Sequence, residues 1–396
     1  LGALALARAG SWTEFRAALE RWGQPIAEFV YADRDGRVAT QTAGRLPDRS
    51  VARGLLPQAG WTHDAAVPGR VTIDRLPHVI DPPAGVAVAA PGDPARRERV
   101  LALLSSAAVT PDAARQVLGD VRSWNADRLV PLLTRLRPAD PVVESGRQRL
   151  VTWDRVLSVE SPAALLYVVW EHALTRRLAT LRIPSSLIDE FVPRADRVLA
   201  AALLRPTAVW FDGDPQQARD RLLLDALAAA VDDERRWTGA DGLAAWGHHQ
   251  ALTFAHPLGI SERARRRYNA GPFPLPGDAS SLFPTVRTKS DRSLGPTLRV
   301  TFDLSDWDRA RGVVAPGQAA APDSPHAGDL IEPWLDGRDV ALPFSEAAIA
   351  SAAASRLALV PPAPGGGAET RAPADRPEGV SSPDGSDSSR TPDAID

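Results

Sequence analysis

The chain of 396 residues contains no cysteine, no methionine, one lysine (Lys289) and only two asparagines, Asn125 and Asn269. Without cysteine there can be no disulfide, no thiolate metal site and no cysteine nucleophile, although the redox compartment stays open. The missing methionine is a different signal. A complete primary translation product begins with Met and this chain begins with Leu1, so it is expected to be a processed chain or part of a longer product. Basic charge is almost entirely arginine, and 46 basic against 49 acidic residues leave a net charge of −3. That balance offers no basic footprint for nucleic acid. No apolar run reaches the ~18 residues of a membrane span. No Gly-x-Ser-x-Gly nucleophile elbow occurs either.

What is present is ordinary globular composition, 44% hydrophobic and 24% charged, enough for two or three domains or one large one. Ser11 followed by Glu14 is a capping-box pattern, and Phe15, Ala18, Leu19 and Trp22 recur at helical spacing, which predicts a helix over 11–22 behind the end of another. Residues 25–93 read as strand-rich: Phe29 to Asp33 and Val38 to Thr42 flank an Asp35-Gly36 turn, and Val71 to Ile73 and Gly85 to Ala89 read as further strands. Residues 94–237 read as helical. Thr110-Pro111, Ser161-Pro162 and Asp214-Pro215 each place a capping side chain before a proline at the first helical position. Residues 246–345 return to loops and short strands such as Leu298 to Leu304, with a last helix near 345–357. The order predicts an α+β unit over about 1–360. The tail, 361–396, carries seven acids and three arginines with almost no large apolar group, so it is expected to be disordered.

Generic motifs each admit a structural reading. His248, His249 and His256 suggest metal ligands, but no carboxylate stands at suitable spacing and the segment is aromatic. Asp303, Asp306 and Asp308 resemble a calcium loop without its glycine and closing glutamate, so turn and cap roles are favoured. Asp232-Asp233-Glu234 beside Arg235-Arg236 reads as a solvated helix end. Gly365 to Gly367 reads as a flexible linker.

The order of longer blocks says more. Trp12 to Trp22, Pro25 to Asp33, Gly44 to Arg49, Asp81 to Gly85, Arg96 to Leu104 and Thr110 to Ala114 are followed by Ser161 to Ala163, Trp246 to His248, His256 to Gly259 and Gly271 to Asp278. Gly295-Pro296 with Arg299, Asp303 to Trp307, Pro316 to Gln318, Asp323 to His326, Trp334 and Leu342 to Ser345 complete the series. In this order the blocks resemble the penicillin acylase (penicillin amidase) family over about residues 5–360.

The resemblance implies part of a four-layer αββα N-terminal-nucleophile hydrolase fold. It also implies a precursor that cuts itself to expose a serine, which attacks an amide carbonyl with its own α-amino group as base. A free α-amine titrates near neutrality and can take the hydroxyl proton. The implied substrates are N-acylated small molecules, either β-lactam side-chain amides or N-acyl homoserine lactones. Three departures follow. Leu1 is not a nucleophile, so the nucleophile segment and smaller chain are expected to be missing partners and this chain alone inactive. Pro91 falls at the family's oxyanion asparagine, where it offers neither a side-chain donor nor a backbone N–H. The connection from Pro91 to Arg96 is short where relatives carry a calcium-ligating loop, so no cofactor is expected. Arg96 matches the family's active-site arginine, although a helix-start arginine in an Arg-rich run also suits a surface. The alternative function is a degenerate homologue with a scaffold or binding role, favoured by Pro91. Export to the periplasm or outside is what the resemblance implies for location.

Overall fold

The structure, a computed structural model, describes residues 2–48, 61, 69–90, 93–105, 109–238, 245–287 and 293–359. The chain divides into a body, Leu1–Ala350, and a second unit, Ser351–Asp396. The acidic tail expected at 361–396 and Pro91 both lie outside the described residues.

The body opens with helices α1 (Gly2–Leu6) and α2 (Trp12–Leu19). Ser11 caps α2 by accepting from the Glu14 N–H, while Glu14 accepts from the Gly10 N–H at 2.8 Å, so the box closes one residue upstream of the cap. The helix stops at Leu19, short of the expected Trp22. Its aromatic face lies on the first of the next two strands: Trp12 and Phe15 approach Tyr31 at 5.3 and 5.0 Å between ring centroids.

Those strands, β1 (Ala27–Ala32) and β2 (Val38–Ala43), pair antiparallel from Ala27↔Ala43 to Ala32↔Val38, and β3 (His78–Ile80) adds to the other side of β2. The hairpin appears where expected, yet its loop is organised by Asp33, whose carboxylate accepts from the N–H groups of Asp35 and Arg37. Gly36 at φ +91° supplies the left-handed turn. Two expected strands do not form. Val71 donates to the Leu46 carbonyl, but Ile73–Arg75 then winds into a 3-10 turn. Residues 86–90 belong to no strand in the structure, since apolar composition makes a strand only where a partner completes the ladder.

Helices follow: α3 (Pro94–Leu104), α4 (Pro111–Leu118), α5 (Trp124–Leu129), α6 (Pro141–Thr152), α7 (Pro162–Thr180), α8 (Ile188–Phe191), α9 (Asp196–Leu204) and α10 (Pro215–Thr238). The predicted caps hold: Thr110 accepts from Ala113, Ser161 from Ala164, and Asp214 from Gln216 and Gln217. The main core gathers on α7, where Leu165, Leu166, Tyr167, Trp170, Leu174 and Leu178 are buried against Leu223 and Leu227 of α10, with Leu150, Leu129 and Leu203 from α6, α5 and α9. Each large side chain so buried contributes about 1.5–3 kcal/mol. A Cβ on Gly146 of α6 would lie 2.6 Å from Val231 Cγ2, so the glycine lets α6 and α10 approach. Glu234 corrects the expectation of a solvated helix end. It is buried and accepts from Nη2 and Nη1 of Arg149 at 2.7 and 2.8 Å, tying α10 to α6.

Beyond α10, β4 (Ala251–Phe254) pairs with β5 (Ala270–Pro274) across α11 (Glu262–Tyr268), and β6 (Val286–Arg287) with β7 (Ser293–Leu294). A second three-stranded sheet has the order β10-β9-β8, from β8 (Leu298–Thr301), β9 (Arg311–Val314) and, after α12 (Ile331–Leu335), β10 (Val340–Ala341). Trp334 anchors a smaller core with Leu275, Phe283, Val313 and Ala315. The last helix, α13 (Glu346–Ala352), ends before the expected 357.

Candidate functional site

The region around Arg96 begins with a helix start. Asp93 caps α3 by accepting from the Arg96 N–H at 2.9 Å, which places Arg96 in the first turn. Its guanidinium leaves the helix and spans a long sequence gap. Nη2 donates to the carbonyls of Ala279 and Ser281 at 2.9 and 3.1 Å, and Nη1 lies 3.6 Å from Asp93 Oδ2. Nε is buried without a partner. The next arginines of the run anchor the same helix elsewhere: Arg97 pairs with Glu28 on β1 and Arg99 with Asp120 before α5.

The loop that receives Arg96 is built on Asp278. Its Oδ1 accepts from the N–H and hydroxyl of Ser280 at 2.7 and 2.8 Å and of Ser281 at 3.0 and 3.1 Å. Its Oδ2 accepts from the Ser123 hydroxyl at 3.3 Å, and Ser123 also caps α5 through the Ala126 N–H. Desolvation raises the Asp278 pKa above the usual carboxylate range, against the opposite pull of the Ser280 and Ser281 donors. Tyr167 sits nearby on α7, fully buried, and burial first, then the Glu171 and Asp278 charges, push its hydroxyl well above the ordinary tyrosine value. A cavity of about 400 Å³ opens beside this loop, lined by Asp93, Glu98, Trp124, Asn125, Arg128 and Ser280 among others.

Other residues singled out by sequence are structural. His256 accepts from the Leu258 N–H through Nδ1 and stacks on Tyr268, while the Asn269 side chain accepts from its backbone N–H. The backbone N–H of His248 donates to Ala245 in a 3-10 turn. Asp303 accepts from Ser305 and pairs with Arg309, Asp306 caps Asp308, and Asp308 accepts from Phe344 and Ser345. Hydrogen bonds from those partners lower the carboxyls of Asp303 and Asp308. Among the described residues no three or more histidines or acids gather as a metal set. Asp93, the described acid of the connection before α3, accepts from the Arg96 N–H and lies 3.6 Å from its guanidinium.

The resemblance singles out Arg96, and the structure brings its guanidinium to the carbonyls of Ala279 and Ser281, in the turn that opens at Asp278, the end of the Gly271 to Asp278 block. The role of Asp278 was missed. Its signal was an acidic residue followed by two hydroxyls, the pattern of a side-chain-stabilised turn. No local pattern could have paired that turn with a helix start 183 residues away.

The model of the penicillin amidase family matches residues 1–351. The chain is 28% identical to the penicillin acylase 2 proenzyme of Pseudomonas sp. (strain SE83), over 87% of this chain and 47% of that protein. It is 27% identical to the acyl-homoserine lactone acylase QuiP of Pseudomonas aeruginosa, over 83% of this chain and 46% of the relative. The chain thus spans about half the length of these curated relatives. A thermostable penicillin G acylase from Alcaligenes faecalis superposes with a TM-score of 0.61 at 18% identity, over 92% of this chain and 72% of that one, and this likeness shows the fold. The chain belongs to the penicillin amidase family and folds as α+β, as part of the N-terminal-nucleophile hydrolase architecture. Among the described residues no helix is long and apolar enough to cross a membrane.

Proposed function

We propose that this member of the penicillin amidase family is the carboxy-terminal portion of a hydrolase that cleaves the amide bond of N-acylated small molecules, β-lactam side chains or acyl homoserine lactones. Its relatives supply the substrate classes, since one is named a penicillin acylase and another an acyl-homoserine lactone acylase. The supporting observation is that the family match runs through the body while Arg96, which the resemblance carries into the active site, is held by distant backbone rather than lying free in solvent.

In this reading the nucleophile lies outside the chain, at the head of the complete catalytic subunit. Its hydroxyl attacks the amide carbonyl, the proton passes to the nucleophile's α-amine and on to the departing amine, and water then releases the acyl group. Arg96 contributes a cation of fixed position beside the reacting groups, where preorganised charge is more effective than in water. No resident cofactor is assigned. The chain alone is inactive because it lacks the attacking group.

A second reading, a non-catalytic homologue with a scaffold or binding role, is favoured by Pro91, which cannot donate to an oxyanion. Sequencing the chain termini of the whole gene product and measuring amine release from N-acyl amides separates the two. Processing to a terminal Ser, Thr or Cys with turnover supports the hydrolase, with this chain alone inactive as the control. An uncleaved product without turnover leaves the scaffold.

A further inference from the structure

Asp278 draws five donors to one carboxylate, four of them to a single oxygen. The base of its turn is tied down by backbone: Gly277 donates to Leu157 at 2.8 Å, Thr285 donates to the Asp278 carbonyl at 3.1 Å, and Trp246 Nε1 donates to Gly277 at 2.9 Å. The arch over 279–281 has less backbone support, a single long bond of 3.4 Å from the Ser281 N–H to the Asp278 carbonyl. Its shape is set instead by side chains: the Asp278 carboxylate pulls the N–H groups of Ser280 and Ser281 inward, and the Ser281 hydroxyl accepts from the Asp278 N–H at 3.1 Å. The carbonyls of Ala279 and Ser281 receive Arg96 Nη2. Among the described residues the carboxylate beside it, Asp93, stands at 3.6 Å, beyond ordinary hydrogen-bond length, so the two carbonyls are the firmer constraint on the guanidinium.

We propose that Asp278 is the positioning residue for Arg96: its carboxylate fixes the 278–281 turn, whose Ala279 and Ser281 carbonyls hold the guanidinium in one orientation. The catalytic consequence rests on the amide hydrolase reading. The geometric consequence does not. A buried carboxylate that shapes a turn acts through its acceptor oxygens, so an isosteric amide can keep the four bonds to Oδ1 and meet the Ser123 hydroxyl as a donor.

The test is a double-mutant cycle in the whole gene product, read as kcat/KM for an N-acyl amide and as crystal structures of the variants. Asp278→Ala is expected to lower kcat/KM about 10²-fold, the scale of a misplaced active-site group. Arg96→Ala is expected to lose a similar factor, and the double variant to be no worse than Arg96→Ala alone. Asp278→Asn should restore activity to within a few-fold of wild type, which separates shape from charge. In the Asp278→Ala structure Arg96 should leave the carbonyls of residues 279 and 281. Additive losses, wild-type turnover in Asp278→Ala, or an undisturbed Arg96 in that variant would overturn the proposal. If Asp278→Ala does not yield folded protein, Ser281→Ala removes only part of the knot and should cost about five-fold, again with no loss in the Arg96→Ala background. A wild-type product that turns over no amide defeats the hydrolase reading alone, because the crystal structures still decide whether Asp278 positions Arg96.

Discussion

The helical segment and the small sheet ahead of it bury their residues in opposite ways. From α5 to α10 the helices enclose a continuous core, with Tyr167, Trp170, Leu174 and Leu178 on α7 at 1% exposure or less. In the sheet only β2 is largely buried, through Ala39, Thr40, Gln41 and Ala43, while all three residues of β3 are exposed and Val30, Val79 and Ile80 are 55, 39 and 40% accessible. The difference follows from connectivity. A helix satisfies its own backbone and needs only an apolar stripe to bury, whereas an edge strand keeps unpaired N–H and C=O groups whatever its side chains. Stability is therefore concentrated in the helices, and the site around Arg96 lies where α3 and α5 meet the loop after β5.

The largest expected effect lies in the helical core. Trp170→Ala removes a fully buried ring whose indole N–H donates to the Leu223 carbonyl and should cost about 3–5 kcal/mol in denaturant unfolding. A loss below 1 kcal/mol would break the comparison. Glu234→Ala comes next, because it leaves the Arg149 guanidinium half-covered without its bidentate partner. About 3 kcal/mol is expected at neutral pH, the low end for breaking a buried pair because Arg149 keeps some contact with solvent.

A pH titration gives a smaller and directional effect. Glu144, held by hydrogen bonds from Arg147 and then Gln148, is lowered from 4.5 to about 2 in the folded state. A depressed carboxyl stabilises the fold above its unfolded pKa and loses that contribution as pH falls from near 4.5 toward 2. Glu144→Gln should flatten this part of the stability curve, and an unchanged acid limb would contradict it. The smallest effect belongs to the sheet edge, where Val79→Thr should change stability by less than ~0.5 kcal/mol. A loss well above that would show that the whole protein covers this edge.

Much of the helical architecture was legible because its signals are local. Ser11, Thr110, Ser161 and Asp214 cap the helices that follow them, and the apolar spacing after Ser161 marks the face that α7 buries. The failures came where the deciding partner is remote. Val71 to Ile73 and Gly85 to Ala89 have strand composition, but pairing, not composition, makes a strand. Asp232-Asp233-Glu234 looks like solvated charge until Arg149, 85 residues away, meets Glu234. Arg96 itself was singled out through the order of the family blocks. Its contact with the Asp278 turn was not, because residues 96 and 279 meet only once the helices have folded between them.

The proposed role makes Arg96 a fixed cation of an amide hydrolase rather than a surface charge. It is tested most directly by kcat/KM of the whole gene product for one N-acyl amide, with Arg96 and with alanine in its place. A fall of about 10²-fold at unchanged folding stability is the predicted result. Equal turnover by the two proteins would contradict it.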